Sequence, residues 1–196
     1  MEFTLYYRGP LASQGNALDK HRLRRHFHGQ LMELWSHPPL IQNFDLIDSD
    51  FEPTDPRGGF VTIGEKPSVV ETVGGYKYTS VVSSKIELVA DLTITFLRPE
   101  PPGRLRDEYG DLDNRIKTLL DGLKIPNDKN ALPKDDSLKD DPDPLYCLLE
   151  DDSLITRLDI KSDRLLDPDM PPDWVVLLIH VRTRPTVGTH YNLGLM

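Results

Sequence analysis

Asp111 and Asp113 stand one residue apart, where an apolar pattern of helical period begins, and Lys117 follows four residues after the second. Further along, the apolar run Leu148-Leu149 ends in three acids, Glu150-Asp151-Asp152. Two carboxylates at a helix start and another at a strand end are the donor types that bind a hard divalent cation. Lys117 lies about one helical turn from Asp113, so both side chains can face the same cleft. This set of groups suits phosphodiester hydrolysis, in which a metal activates water and stabilises charge on the phosphate.

Each part also has a plainer reading. Acids at a helix N-terminus are favoured by capping and by the helix dipole. Taken alone, Asp111 and Asp113 fit that reading better; with Lys117, Asp121 and the later acids in view, the metal reading gains. A calcium loop of the EF-hand type is excluded, because that pattern needs glycine where Ile116 stands. Asp113 and Lys117 could instead form a surface pair worth a few tenths of a kcal/mol. Asp151 and Asp152 could belong to a turn. Adjacent strand residues point to opposite faces, so only one of that pair would face a metal. Asp121, eight residues after Asp113, is divided evenly between a supporting and a structural role, and Glu150 is a weaker candidate.

The pattern Asp-x-Asp-Asn-x-x-Lys-x-x-x-Asp-x-Leu over Asp111 to Leu123, followed by Asp151-Asp152 in a short apolar context, resembles the RusA family of Holliday junction resolvases. The match rests on Asp111, Asp113, Asn114, Lys117, Asp121 and the Asp151-Asp152 pair. It extends more loosely over Ile86 to Arg98 and the strands after the motif. Family members are shorter, and this chain has extra residues at about 37–75 and 127–144. The resemblance implies a Mg²⁺-dependent endonuclease acting as a homodimer on four-way DNA junctions. One or two ions per subunit would be held by Asp111, Asp113 and Asp152, with Mn²⁺ as a substitute. Lys117 would serve the cleavage chemistry, and Asn114, Asp121 and Asp151 would support the site.

The net charge of −9 is awkward for a DNA-binding protein. Its distribution matters. Residues 1–127 carry 18 acids and 15 Lys/Arg, residues 128–173 carry 14 and 6, and residues 174–196 carry two arginines and no acid. Most of the negative charge thus lies in the stretch holding Asp151 and Asp152, where bound cations would offset part of it. An acidic surface that only keeps the protein soluble is the competing explanation. The basic run Lys20, Arg24 and Arg25 could contact phosphates or simply be a solvated helix face. Cys147 is the sole cysteine, which permits no internal disulfide and fits a reducing cytoplasm. No apolar stretch approaches a membrane span, and the first residues lack the pattern of a signal peptide. The histidines show no zinc spacing, and Cys147, in an apolar strand, reads as core.

The elements that must position these groups follow from periodicity. Glu2 to Arg8 alternates as a strand. Asn16 or Asp19 can cap a helix reaching Trp35, with Leu23, Phe27, Leu31, Leu34 and Trp35 on one stripe. Short strands are expected at Gly59 to Ile63 and Tyr76 to Val82, and a clear alternating strand at Ile86 to Arg98. A helix over Leu112 to Lys124 carries Ile116, Leu119, Leu120 and Leu123 on one face. Residues 127–144 have little to bury and read as a mobile loop. Strands follow at Leu145 to Leu149, Leu154 to Ile160 and Trp174 to Arg184. The run Trp174 to Val181 suggests burial on both faces.

The expected fold is α/β or α+β: a single domain over residues 1–196, with a mixed sheet and two main helices. The expected function is a Mg²⁺-dependent endodeoxyribonuclease resolving four-way junctions in the cytoplasm, with no membrane attachment. The alternatives are a metal nuclease of the same fold acting on other branched DNA or RNA, and a non-catalytic nucleic-acid-binding or assembly protein.

Overall fold

The first strand, β1 (Glu2–Pro10), buries Leu5 and Tyr7 while the residues between them face outward. Helix α1 (Ala17–Trp35) follows, and both candidate caps take part. The Asn16 side chain accepts from the Leu18 and Asp19 N–H groups, and the Asp19 carboxylate accepts from the Asn16 N–H. This capping box fixes where the helix starts. The computed structural model describes residues 1–46, 68–99, 111–134, 138–189 and 192–195. The strand expected at Gly59 to Ile63 lies outside them.

The remaining elements are β2 (Val70–Val73), β3 (Tyr76–Val82), β4 (Leu88–Arg98), α2 (Leu112–Leu123), β5 (Leu145–Leu149), β6 (Ile155–Arg164) and β7 (Trp174–Pro185). The fold is α+β, but its strands form two mixed sheets instead of one. The larger has the order β1-β7-β4-β6, with β7 antiparallel to both neighbours and β6 parallel to β4. The smaller has the order β2-β3-β5, joining an antiparallel hairpin to a parallel strand. Gly74 and Gly75 turn the hairpin with positive φ angles of 61° and 92°, which side chains disfavour. β4 starts at Leu88, later than its alternation suggests. Ser83 caps a tight turn over Ser84–Ile86, and Glu87 then adopts a left-handed φ of 53°.

The main core joins the inward rows of the larger sheet to the stripe Leu23, Phe27, Leu31 and Trp35 of α1. Leu92, Ile94, Leu177 and Ile179 are wholly buried there. Two expectations need correction. β7 is buried on one face only: Val175, Leu177, Ile179 and Val181 point inward while Leu178 and His180 are exposed. Its flanking strands cover its edges, not its second face. Residues 127–144 are not a loop without anchors. Leu132 and Leu138 are buried beside Tyr78, Ile125, Leu145 and Cys147 in a second apolar cluster. The Asp141 carboxylate is also buried, 3.0 Å from His21 Nε2 and 3.4 Å from Arg25 Nε. Two widely spaced leucines and one acid are enough to pin a polar segment whose composition gives little sign of it.

Gly122 sets the distance between the helices. A Cβ there would lie 2.6 Å from the Leu23 Cβ, so only glycine lets α2 approach α1 this closely.

Candidate functional site

Helix α2 exists because Ile116, Leu119 and Leu123 recur on one face and bury against the core. Its twelve residues give a rod of about 18 Å. The candidate chemistry is distributed along this rod, and its two ends differ.

At the N-terminal end, Asp111 occupies the cap position with extended backbone, yet its carboxylate makes no capping hydrogen bond. Asp113, in the first turn, is exposed and makes no ion pair among the described residues. Lys117, one turn on, is exposed and likewise makes no ion pair among the described residues; the alternative Asp113–Lys117 surface pair does not form. Lys117 lines a cavity of about 310 Å³ with Asn114, Thr118, Asp121, Lys20 and the backbone turn Ser13-Gln14-Gly15. Thr118 Oγ1 accepts from the Gly15 N–H at 3.1 Å and draws that turn onto the helix. A Cβ at Gly15 would meet Thr118 Cγ2 at 2.3 Å, so this approach requires glycine. Asn114 and Asp121, expected as supporting residues, do line the same cavity as Lys117.

At the C-terminal end every acid is engaged. Lys124 follows the last helical residue and is mostly buried. Its Nζ donates to Asp152 Oδ1 at 2.7 Å and lies 3.6 Å from Asp151 Oδ2 and 3.9 Å from Asp121 Oδ1. Burial opposes the charge on Lys124, but the bond to Asp152 and the charges of Asp152, Asp151 and Asp121 outweigh it and hold its pKa above the ordinary value. Asp151 accepts from the Ser153 N–H at 3.0 Å, and its bonds to Ser153 lower its pKa. Glu150 accepts from the Ser83 hydroxyl and, at 2.8 Å, from the Ser84 N–H. The opposite oxygen of Asp121 pairs with Lys20 at 2.8 Å.

Asp111 and Asp113 therefore sit at one end of α2, and Asp152 is bound to Lys124 at the other. Among the described residues no three His, Cys, Asp or Glu side chains form a group that could hold a metal. A three-carboxylate centre of Asp111, Asp113 and Asp152 is not assembled within one chain. Asp111 and Asp113 are oxygen donors of the type that Mg²⁺ takes in ones and twos. Mg²⁺ keeps several waters and is commonly bound by one or two carboxylates together with substrate phosphates. Among the described residues neither carboxylate makes an ion pair.

The basic run on α1 also divides. Arg24 is not a free phosphate contact: it is buried, its Nε donates to the Lys124 carbonyl at 2.8 Å, and its Nη2 donates to the Asp121 carbonyl at 2.6 Å. It caps the C-terminal end of α2, satisfying carbonyls the helix leaves open. Arg25 leans on Asp141 and Lys20 on Asp121. The role of Arg24 was hidden in the sequence, because a cation inside a basic run gives no sign of facing a distant helix end. One signal was available: His21, Arg24, His28, Leu31 and Trp35 recur at helical spacing. Together they trace a second inward row. Cys147 is buried, and burial pushes its thiol up to about 12, far from a reactive thiolate.

No family model, curated protein or solved structure matches the chain. Among the described residues no helix is long and apolar enough to cross a membrane.

Proposed function

We propose that the protein is a Mg²⁺-dependent endodeoxyribonuclease acting on branched DNA, with four-way junctions as the preferred substrate. One observation carries this reading. Asp111 and Asp113 stand at the start of α2 and Lys117 about one turn along it, and among the described residues Asp111 makes no capping bond and none of the three makes an ion pair. A bound Mg²⁺ would supply an activated water and offset phosphate charge. Asp111 and Asp113 would hold that cation. Lys117 donates to a non-bridging phosphate oxygen as negative charge develops there. Asn114 and the turn at Gly15 shape the cavity that receives the strand. Two chains, each cutting one strand, provide the paired nicks that a four-way junction requires, in a cytoplasmic homodimer.

A second reading is favoured by the engagement of Asp152, Asp151 and Arg24 inside the fold. In it the protein binds or assembles without cleaving, and the acids serve folding alone. Cleavage assays on synthetic four-way junction, flap and duplex DNA, with Mg²⁺ and with chelator, separate the two. Mg²⁺-dependent junction cleavage supports the nuclease. Absence of cleavage on all three substrates overturns it.

A further inference from the structure

The larger sheet ends at β6, and among the described residues nothing pairs with its outer edge. β6 is ten residues long and unusual on both faces. Its register with β4 sets Leu158 beside Leu92 and Ile160 beside Ile94. Leu92 and Ile94 are fully buried, whereas Leu158 and Ile160 are 39% and 38% exposed. The apolar row that forms the core thus continues onto β6 and is left partly uncovered. The other face reads Arg157, Asp159, Lys161, Asp163, alternating in sign. Among the described residues these charges pair only along the strand, Arg157 with Asp159 at 2.7 Å and Lys161 with Asp163 at 3.6 Å.

We infer that β6 is the interface with a second copy of this chain, paired antiparallel about a two-fold axis through Ile160. Directly opposed residues in an antiparallel ladder share a face, so the register decides which side chains meet. With Ile160 opposite the partner's Ile160, Arg157 faces the partner's Asp163 and Asp159 faces the partner's Lys161. The two-fold repeats both pairs, giving four opposite-charge contacts. Moving the axis to Asp159 sets Arg157 against the partner's Lys161 and Asp159 against itself. Moving it to Lys161 sets Asp159 against the partner's Asp163. Charged edge strands ordinarily repel other strands. This one sets like charges together with the axis one residue to either side, and it makes the most opposite-charge contacts with the axis at Ile160. Leu158 and Ile160 then extend the apolar row across the axis. The interface depends on β6 alone and stands whether or not the chain cleaves DNA.

Sedimentation and charge reversal test it. The wild-type chain should sediment at twice its 22.3 kDa mass at micromolar concentration. Arg157→Asp creates like-charged contacts at two symmetric places and should raise the dimer dissociation constant about tenfold or more. Adding Asp163→Arg to that variant restores complementarity and should restore the dimer, a rescue that misfolding could not produce. Ile160→Cys should form an intermolecular disulfide under mild oxidation, and Thr156→Cys should not; the native Cys147 is buried and does not compete. A monomeric wild type overturns the inference. So does a dimer indifferent to Arg157→Asp and not crosslinked through Ile160→Cys.

Discussion

The two ends of α2 carry similar residues in opposite conditions. At the C-terminal end Lys124 is surrounded by Asp121, Asp151 and Asp152, and Arg24 closes the last carbonyls. Toward the N-terminal end Asp111, Asp113 and Lys117 have the same chemistry and make no ion pair among the described residues. A charge that is mostly buried must be paired, because isolating it costs several kcal/mol. A charge left in solvent has no such constraint; the helix dipole already favours acids at this end, so cleavage and not stability tests whether Asp111 and Asp113 bind a ligand. One end of the helix is a clamp, and the other is where the proposed ligand would bind.

The most severe test of that contrast is Asp113→Asn. The substitution removes one anion and no observed internal bond. Junction cleavage should fall by about 10³-fold or more, as expected when a metal centre loses a ligand. The melting temperature should stay within about 1 °C, since surface changes away from structural contacts are nearly neutral. Junction binding should be kept or strengthened, because a negative charge near the phosphates is gone. Wild-type cleavage rates in this variant would remove Asp113 from the site.

Lys117→Ala sharpens the same end. If Lys117 acts on developing charge, single-turnover cleavage at saturating enzyme falls about 10²- to 10³-fold while junction affinity changes little. If it only anchors phosphate, affinity falls and its salt slope drops by about one. The first outcome is expected. Among the described residues Lys117 makes no ion pair, so its charge is available to a bound phosphate.

At the clamp the readout should change from activity to stability. Lys124→Met leaves Asp152 without its 2.7 Å donor and should cost about 1–2 kcal/mol in denaturant unfolding. The raised pKa of Lys124 gives a sign to its pH dependence. Its contribution is complete below the ordinary lysine value and is lost as pH climbs through the higher folded value, so the variant should lack that alkaline loss. Asp152→Asn keeps an acceptor for Lys124 and should leave cleavage within about tenfold of wild type. If Asp152→Asn abolishes cleavage as Asp113→Asn does, the contrast fails. Asp152 would then belong with the metal ligands after all.

How legible all this was depends on the kind of residue. Strands with strict alternation, such as β1 and β4, and the caps of α1 could be read because each signal is local. Helical spacing put Asp113, Lys117 and Asp121 near one face, and of these Lys117 and Asp121 line one cavity together with Asn114, which spacing had not singled out. The position of Asp152 did not. It is set by the way β5 lies along Lys124, whose backbone bridges to Leu149, a contact 25 residues away in sequence. The burial of Asp141 and Arg24 was hidden for the same reason: each is paid for by partners on distant elements. Spacing within one helix says which groups share a face, but not which end of that helix a later strand will reach.

The smallest expected effect concerns His28, on the side of α1 that packs against β5. Its Nδ1 accepts the Tyr146 N–H at 3.0 Å, which requires that nitrogen to be unprotonated. Burial lowers its pKa below the ordinary value; Asp141 opposes this and Arg25 adds to it. A folded pKa below the unfolded one means that the native state prefers the neutral ring. The contribution is therefore present above about pH 6.5 and is lost as pH falls through the folded value. His21 is shifted in the same direction by its own burial, so two rings should weaken the fold on acidification. His28→Asn offers an amide oxygen close to the position of Nδ1 and removes one titration. Thermal unfolding between pH 7 and pH 5 should show a shallower loss in this variant than in wild type, by about 1 kcal/mol at the acid end. Some slope should remain from His21. An identical slope in both proteins would mean that the Tyr146 bond survives protonation, and that β5 is held against α1 by apolar packing alone.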